Sequence, residues 1–122
     1  MSEDRHPTAA DVGHGLGSFV AAVRAHYGVR LHAIVMFGSR ARGEGRPDSD
    51  ADVAVVLRDD NWSFWQEKLR LADMAYAPLI ETGLSIQPWP VSLDEWQNPE
   101  KHANRRLLDA IGKDAQSLLE AA

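Results

Sequence analysis

Residues 38–52 read Gly38-Ser39-Arg40-Ala41-Arg42-Gly43-Glu44-Gly45-Arg46-Pro47-Asp48-Ser49-Asp50-Ala51-Asp52. Apolar runs bracket the stretch, Leu31–Phe37 before it and Ala51–Leu57 at its end. The first run is short and partly β-branched, so it reads as a strand. The second is continuously apolar through Val53, Ala54, Val55, Val56 and Leu57, which suits a central strand buried on both faces. Gly38–Gly43 should form a turn and the start of a short helix. Gly45, Pro47 and Asp48 make Glu44–Ser49 a loop. A Gly-Ser pair therefore closes one strand, and two acids one position apart open the next.

Working outward, Thr8 is placed to cap a helix, with Asp11 as its capping-box partner. Val12, Leu16, Phe19, Val20 and Val23 then recur at helical spacing, Tyr27 extends the stripe, and Gly28 stops it. Residues 1–7 read as a frayed tail. Gly13, Gly15 and Gly17 weaken the first turns. Downstream, Asp59–Asn61 offer caps for a long helix over Trp62–Thr82, with Trp65, Leu69, Ala72, Met74, Ala75 and Leu79 on its expected buried side and Gly83 at its end. Leu84–Val91 should be a third strand, which Pro88 and Pro90 restrict to an edge or a short pairing. Leu93–Trp96 reads as a turn or short helix, and Pro99 opens another. Leu107, Leu108 and Ile111 supply the last stripe, which Gly112 should break before Ala115–Leu119. The expected order is α-β-α-β-α-β-α in one layered α/β or α+β domain over residues 1–122, with α+β preferred.

The bulk numbers agree with one globular domain: 122 residues, 44% hydrophobic and 25% charged. Thirteen basic against eighteen acidic residues give a net charge of −5, which argues against a surface committed to nucleic acid. There are no cysteines, which excludes disulfides and thiolate zinc sites. No secretory signal is legible, and no apolar run approaches the roughly 20 residues of a membrane span. A cytoplasmic, soluble protein without membrane contact is expected.

Asp50 and Asp52, two apart along a strand, should share a face. Two carboxylates so placed repel unless a cation lies between them. A hard divalent ion, Mg²⁺ or Mn²⁺, satisfies both and keeps places for phosphate oxygens and water. Gly38 lets the backbone approach a phosphate, and Ser39 offers a hydroxyl and an N–H. Arg40, Arg42 and Arg46 add cationic reach, Arg42 being placed nearest a triphosphate and Arg40 equally able to face solvent. Taken singly, a Gly-Ser pair is a turn and an Asp-x-Asp pair a solvated strand end. Their joint position at the ends of two apolar runs points to chemistry on a nucleotide.

Gly38-Ser39-x-Ala41-Arg42-Gly43, followed by Ser49-Asp50-x-Asp52, resembles the signature of the minimal nucleotidyltransferase proteins of the DNA polymerase beta superfamily. The resemblance implies a short mixed sheet backed by helices. It also implies that Gly38 and Ser39 hold a triphosphate, with Arg42, Gly43 and Ser49 beside it, and that Asp50 and Asp52 bind Mg²⁺. The donor so implied is ATP, with pyrophosphate leaving. A third acid often stands on the next core strand in that family. The matching position here falls nearest Gln87, with Ser85 the other same-face candidate and Glu81 in the preceding helix. An amide oxygen still ligates a metal but is a poor general base. The small size implies that the acceptor is a partner. Stand-alone proteins of this kind resemble the antitoxin half of toxin–antitoxin modules. Their partners are helical HEPN proteins, typically ribonucleases, neutralised by adenylylation of a tyrosine or by binding alone. Glu95-Trp96 through His102-Ala103-Asn104 and Leu107–Gly112 also look like the tail of these proteins. A small-molecule nucleotidyltransferase is a more distant reading, since 122 residues leave no room for an acceptor domain unless dimerisation builds the pocket.

Of the other residues, Trp62, Trp65, Trp89 and Trp96 read mostly as packing residues, with Trp89 or Trp96 also placed to meet a partner. The five histidines lack metal-ligand spacing. Lys101, His102, Arg105 and Arg106 read as a solvated helix face, and Glu44 and Asp48 as solvent-facing loop residues.

Overall fold

The computed structural model describes residues 7–43 and 49–119. The expectations for the first six residues, and for Glu44, Arg46 and Asp48, lie outside these. The chain runs α1 (Ala9–Tyr27), β1 (Leu31–Phe37), α2 (Gly38–Ala41), β2 (Ala51–Leu57), α3 (Phe64–Thr82), β3 (Ile86–Ser92), α4 (Leu93–Gln97), α5 (Arg105–Asp114) and β4 (Gln116–Leu119). The four strands form one mixed sheet in the order β3-β2-β1-β4. β1 is antiparallel to β2 and to β4, and β2 is parallel to β3.

Local chemistry accounts for the elements. Thr8 caps α1 by accepting from the Asp11 N–H while the Asp11 carboxylate accepts from the Thr8 N–H, a reciprocal capping box. Gly15 is more than a weak helix former. A Cβ there would lie 2.9 Å from Thr82 Oγ1, so its lack of a side chain lets α1 close on the end of α3. Val53, Ala54, Val55, Val56 and Leu57 are fully buried, as expected for a central strand. β3 is an edge strand. Pro88 and Pro90, two apart, share the outer side of the ladder, where an N–H is not needed.

Strand alternation separates two cores. On one face Ile34, Met36, Val53, Val55 and Ile86 pack with Phe19, Val23 and Tyr27 of α1 and Leu71 and Ala75 of α3. On the other, Ala33, Val35, Phe37, Ala54, Val56 and Val91 pack with Leu108 and Ile111 of α5. Among the described residues no helix is long and apolar enough to cross a membrane.

Three expectations are corrected. First, the inner face of α3 consists of Glu67, Leu71, Ala75 and Pro78, whereas Trp65, Leu69, Ala72 and Leu79 point outward and Met74 is half-buried. The helix carries two apolar stripes, and the inner one contains a carboxylate that a hydropathy pattern counts as solvent-facing. Second, Ser63 is the N-cap of α3; Asp59 instead pairs with Arg30, and its carbonyl accepts from Trp62 Nε1. Third, Gly112 lies within α5, and the segment after it ends in a strand, β4, paired with β1.

Glu67 is stabilised inside by the Tyr27 hydroxyl, which donates to it at 2.9 Å, and by Arg70 at 3.5 Å. Burial, then the acceptor Glu67, raises the Tyr27 phenol above its ordinary range, so the hydroxyl stays a donor. Tyr27→Phe removes that donor and leaves a buried carboxylate short of a partner. It should destabilise the fold by about 1–3 kcal/mol, read as a lower urea midpoint with an unchanged slope.

Candidate nucleotide and metal site

The turn from β1 into α2 and the start of β2 meet at one end of the sheet. Phe37 stands opposite Asp52 in the ladder, so Gly38 follows directly beside that acid. Gly38 has φ +78°, and a Cβ added there would lie 2.6 Å from Asp52 Oδ2. Glycine is therefore required twice, by backbone conformation and by the approach of the carboxylate. The first N–H groups of α2 have no intrahelical acceptor and face the same end of the sheet.

Asp52 shares the face of Ala54 and Val56 and is half-buried; Asp50, just before the strand, is exposed. Burial lifts the Asp52 carboxyl above the usual carboxylate range. The negative charge of Asp50 lifts it further, and Lys68 opposes both. A pair of carboxylates in this state favours a cation. In the parallel ladder Asp52 stands beside Gln87, which puts an amide on the same face as the acid. Two carboxylates and an amide oxygen suit a hard ion. Among the described residues no cluster of three or more His, Cys, Asp or Glu forms a self-sufficient cage. An ion here would need further oxygens from phosphate and water, as Mg²⁺ accepts.

The remaining sequence candidates divide. Arg40 is tied down: its Nε donates to the Ser49 carbonyl at 2.7 Å, tying α2 to the residue before Asp50. Arg42 caps the end of α2 and is exposed, as is Gly43, whose φ is +74°. Ser85 accepts the Ala51 N–H through its carbonyl at 2.9 Å, bracing the start of β2. Glu81 pairs with His14 at 3.6 Å on the α1 side.

Lys68 was not legible as a site residue. It reaches from α3 around the edge strand, donates to the Pro88 carbonyl and sets its ammonium 3.9 Å from the centre of the Trp89 ring. Burial lowers its pKa and the Asp52 charge opposes that shift. Nothing in its local sequence marks the contact, which closes over twenty residues. A cleft of about 520 Å³ lies toward the other end of the sheet, lined by Trp62, Phe64, Trp89 and Leu107. It runs from Trp89, which stands beside Ala54 two residues along from Asp52, to Ser92 at the end of β3 and Asp60 beyond the end of β2.

Several solved structures are similar to this chain. A candidate nucleotidyltransferase from Sulfolobus solfataricus aligns with a TM-score of 0.56 at 14% identity, over 98% of this chain and 93% of its own. A toxin–antitoxin structure with AMP-PNP aligns with a TM-score of 0.50 at 20% identity, over 84% and 72%. A complex of tri-AMPylated HEPN toxin with MNT antitoxin from Shewanella oneidensis scores 0.49 at 17% identity, over 89% and 72%. No curated protein matches the sequence. The sequence model of the nucleotidyltransferase domain matches residues 18–113, from the middle of α1 to the end of α5, and this chain belongs to that family.

Proposed function

We propose that the protein transfers a nucleoside monophosphate, AMP from ATP, to a hydroxyl of a helical HEPN-type protein partner, as the antitoxin of that partner. The observation that carries the reading is the packing of Gly38 against Asp52, with Asp50 adjacent and Gln87 in register. This brings a phosphate-approachable backbone and a cation-seeking acid pair to one point. The fold shared with a toxin–antitoxin structure holding AMP-PNP supports the same donor.

Asp50 and Asp52 would hold Mg²⁺, with Gln87 supplying an amide oxygen. The ion, when bound, neutralises phosphate charge and stabilises the attacking and leaving oxygens. Gly38 and Ser39 would cradle the triphosphate, and Arg42, Gly43 and Ser49 would border it. The partner hydroxyl attacks the α-phosphorus, a new P–O bond forms, the α–β bridge breaks, and pyrophosphate leaves. The hydroxyl proton goes to a carboxylate of the pair or to water, because the Gln87 amide takes no proton. In this reading the protein works in the cytoplasm, without membrane contact or direct nucleic-acid binding.

The test is incubation of the protein with ATP, Mg²⁺ and the protein encoded beside it, followed by intact mass of both chains. A gain of AMP on the partner, absent with Asp52→Asn, is the expected result. Gln87 favours a second reading, an antitoxin that neutralises by binding alone. Complex formation without mass change, retained when Asp50 and Asp52 are both replaced by Asn, would select it.

A further inference from the structure

The outer face of α3 carries Trp65, Leu69, Tyr76 and Ile80 at 69, 66, 64 and 65% exposure. With Ala72 and Leu79, the positions 65, 69, 72, 76 and 79 are spaced four, three, four and three. That is the seam of a two-helix contact, repeated over about 22 Å of helix. Single exposed apolar residues are ordinary on a protein surface, but a continuous row of large ones on one helix is not. The row also continues. The Trp65 ring meets Phe64 edge-on at 5.1 Å, and Phe64 lines the cleft with Trp62 and Trp89.

We propose that this α3 face, with the cleft at its end, receives an amphipathic helix of the protein partner, one whose apolar seam is flanked by basic residues; this rests on the partner reading above. The seam spacing selects a helix. A strand is disfavoured, because the adjoining edge of β3 offers prolines at 88 and 90 and its Pro88 carbonyl already accepts from Lys68. Charge selects the flank. The chain carries −5, which sets two copies against each other. Beside the seam, Arg70 is paired with the buried Glu67, while Asp73 is an exposed acid. At the cleft, Lys101 is paired with Asp94, leaving Asp60 and Glu95 as acids of the lining. A helix with Lys or Arg beside its seam complements that balance.

The variant Leu69→Ser/Tyr76→Ser tests it, with the adjacent-gene protein as probe and affinity read by calorimetry at low and moderate salt. Both side chains are exposed, so the thermal midpoint and ATP binding without the partner should not change. The expected result is a Kd raised at least 100-fold, and a wild-type Kd that rises with salt. Wild-type affinity in the variant would overturn the docking face while leaving the transferase reading intact. No complex with the wild-type chain would overturn both the face and the partner reading, which separates the two failures. A wild-type chain that is dimeric by light scattering, and monomeric in the variant, would assign the seam to a second copy and overturn the proposal.

Discussion

Asp52→Asn should lower nucleotidyl transfer by about 10³-fold or more, corresponding to roughly 4 kcal/mol of lost transition-state stabilisation. The substitution keeps shape and one oxygen but removes the charge that a divalent ion needs. It should also make the ligand-free protein slightly more stable. Burial and Asp50 hold the Asp52 carboxyl above the usual carboxylate range, so the folded state binds its proton more tightly than the unfolded chain does. The sign follows by linkage: wild-type stability falls as pH rises from the ordinary carboxylate range through the raised folded value. Asn cannot ionise and escapes that loss. At neutral pH the gain should be small, because solvent screens a half-buried carboxylate, and it should read as a slightly higher Tm. Mg²⁺ with a non-hydrolysable ATP analogue should raise the wild-type Tm and leave the variant unmoved. A variant less stable than wild type without ligand would show that Asp52 is structural, and the acid pair would lose its claim to a cation.

Much of this architecture is legible in the sequence, and the reason differs by element. β1 was legible to the residue and β2 nearly so, because an apolar run ending in Gly-Ser and another opening on Asp-x-Asp mark their own limits. The Thr8–Asp11 box was legible because both partners lie within one turn. The edge position of β3 followed from the missing N–H groups of Pro88 and Pro90. β4 was not legible. Gln116-Ser117-Leu118-Leu119 has no strand periodicity, and it becomes a strand through pairing with β1 some eighty residues earlier. The inward face of α3 was misread because burial of Glu67 depends on Tyr27, forty residues away. The same error concealed the outer seam, since residues expected inside cannot be recognised as a surface. At the site, the meeting of Gly38 with Asp52 followed from strand ends alone. The placement of Lys68 did not, because a flexible side chain that wraps a sheet edge leaves no periodic trace.

Gly38→Ala should cost more than any other single methyl group added to this turn. The backbone at φ +78° charges an L-residue about 1–2 kcal/mol, and the new Cβ would sit 2.6 Å from Asp52 Oδ2. That distance is too short to hold, so the carboxylate must swing away or the turn must open. Either movement displaces the ion-binding oxygen from the phosphate-binding backbone. Misplacement of about 1 Å at a reacting centre costs on the order of 10²-fold. The expected result is therefore at least a 100-fold loss of transfer, a weakened ATP affinity and a stability loss of about 2–3 kcal/mol. Gly28→Ala is the control. Gly28 also has positive φ, at +55°, but a Cβ there meets nothing within 4 Å. Its ψ of −125° lies outside the left-handed region an L-residue tolerates, so it should show the backbone cost alone, about 1–3 kcal/mol, with full transfer activity. The difference between the two variants isolates the collision with Asp52 from the strain of the turn. If Gly38→Ala keeps wild-type transfer while losing only as much stability as Gly28→Ala, the approach of Gly38 to Asp52 has no part in the chemistry. The site would then have to be sought elsewhere on the sheet.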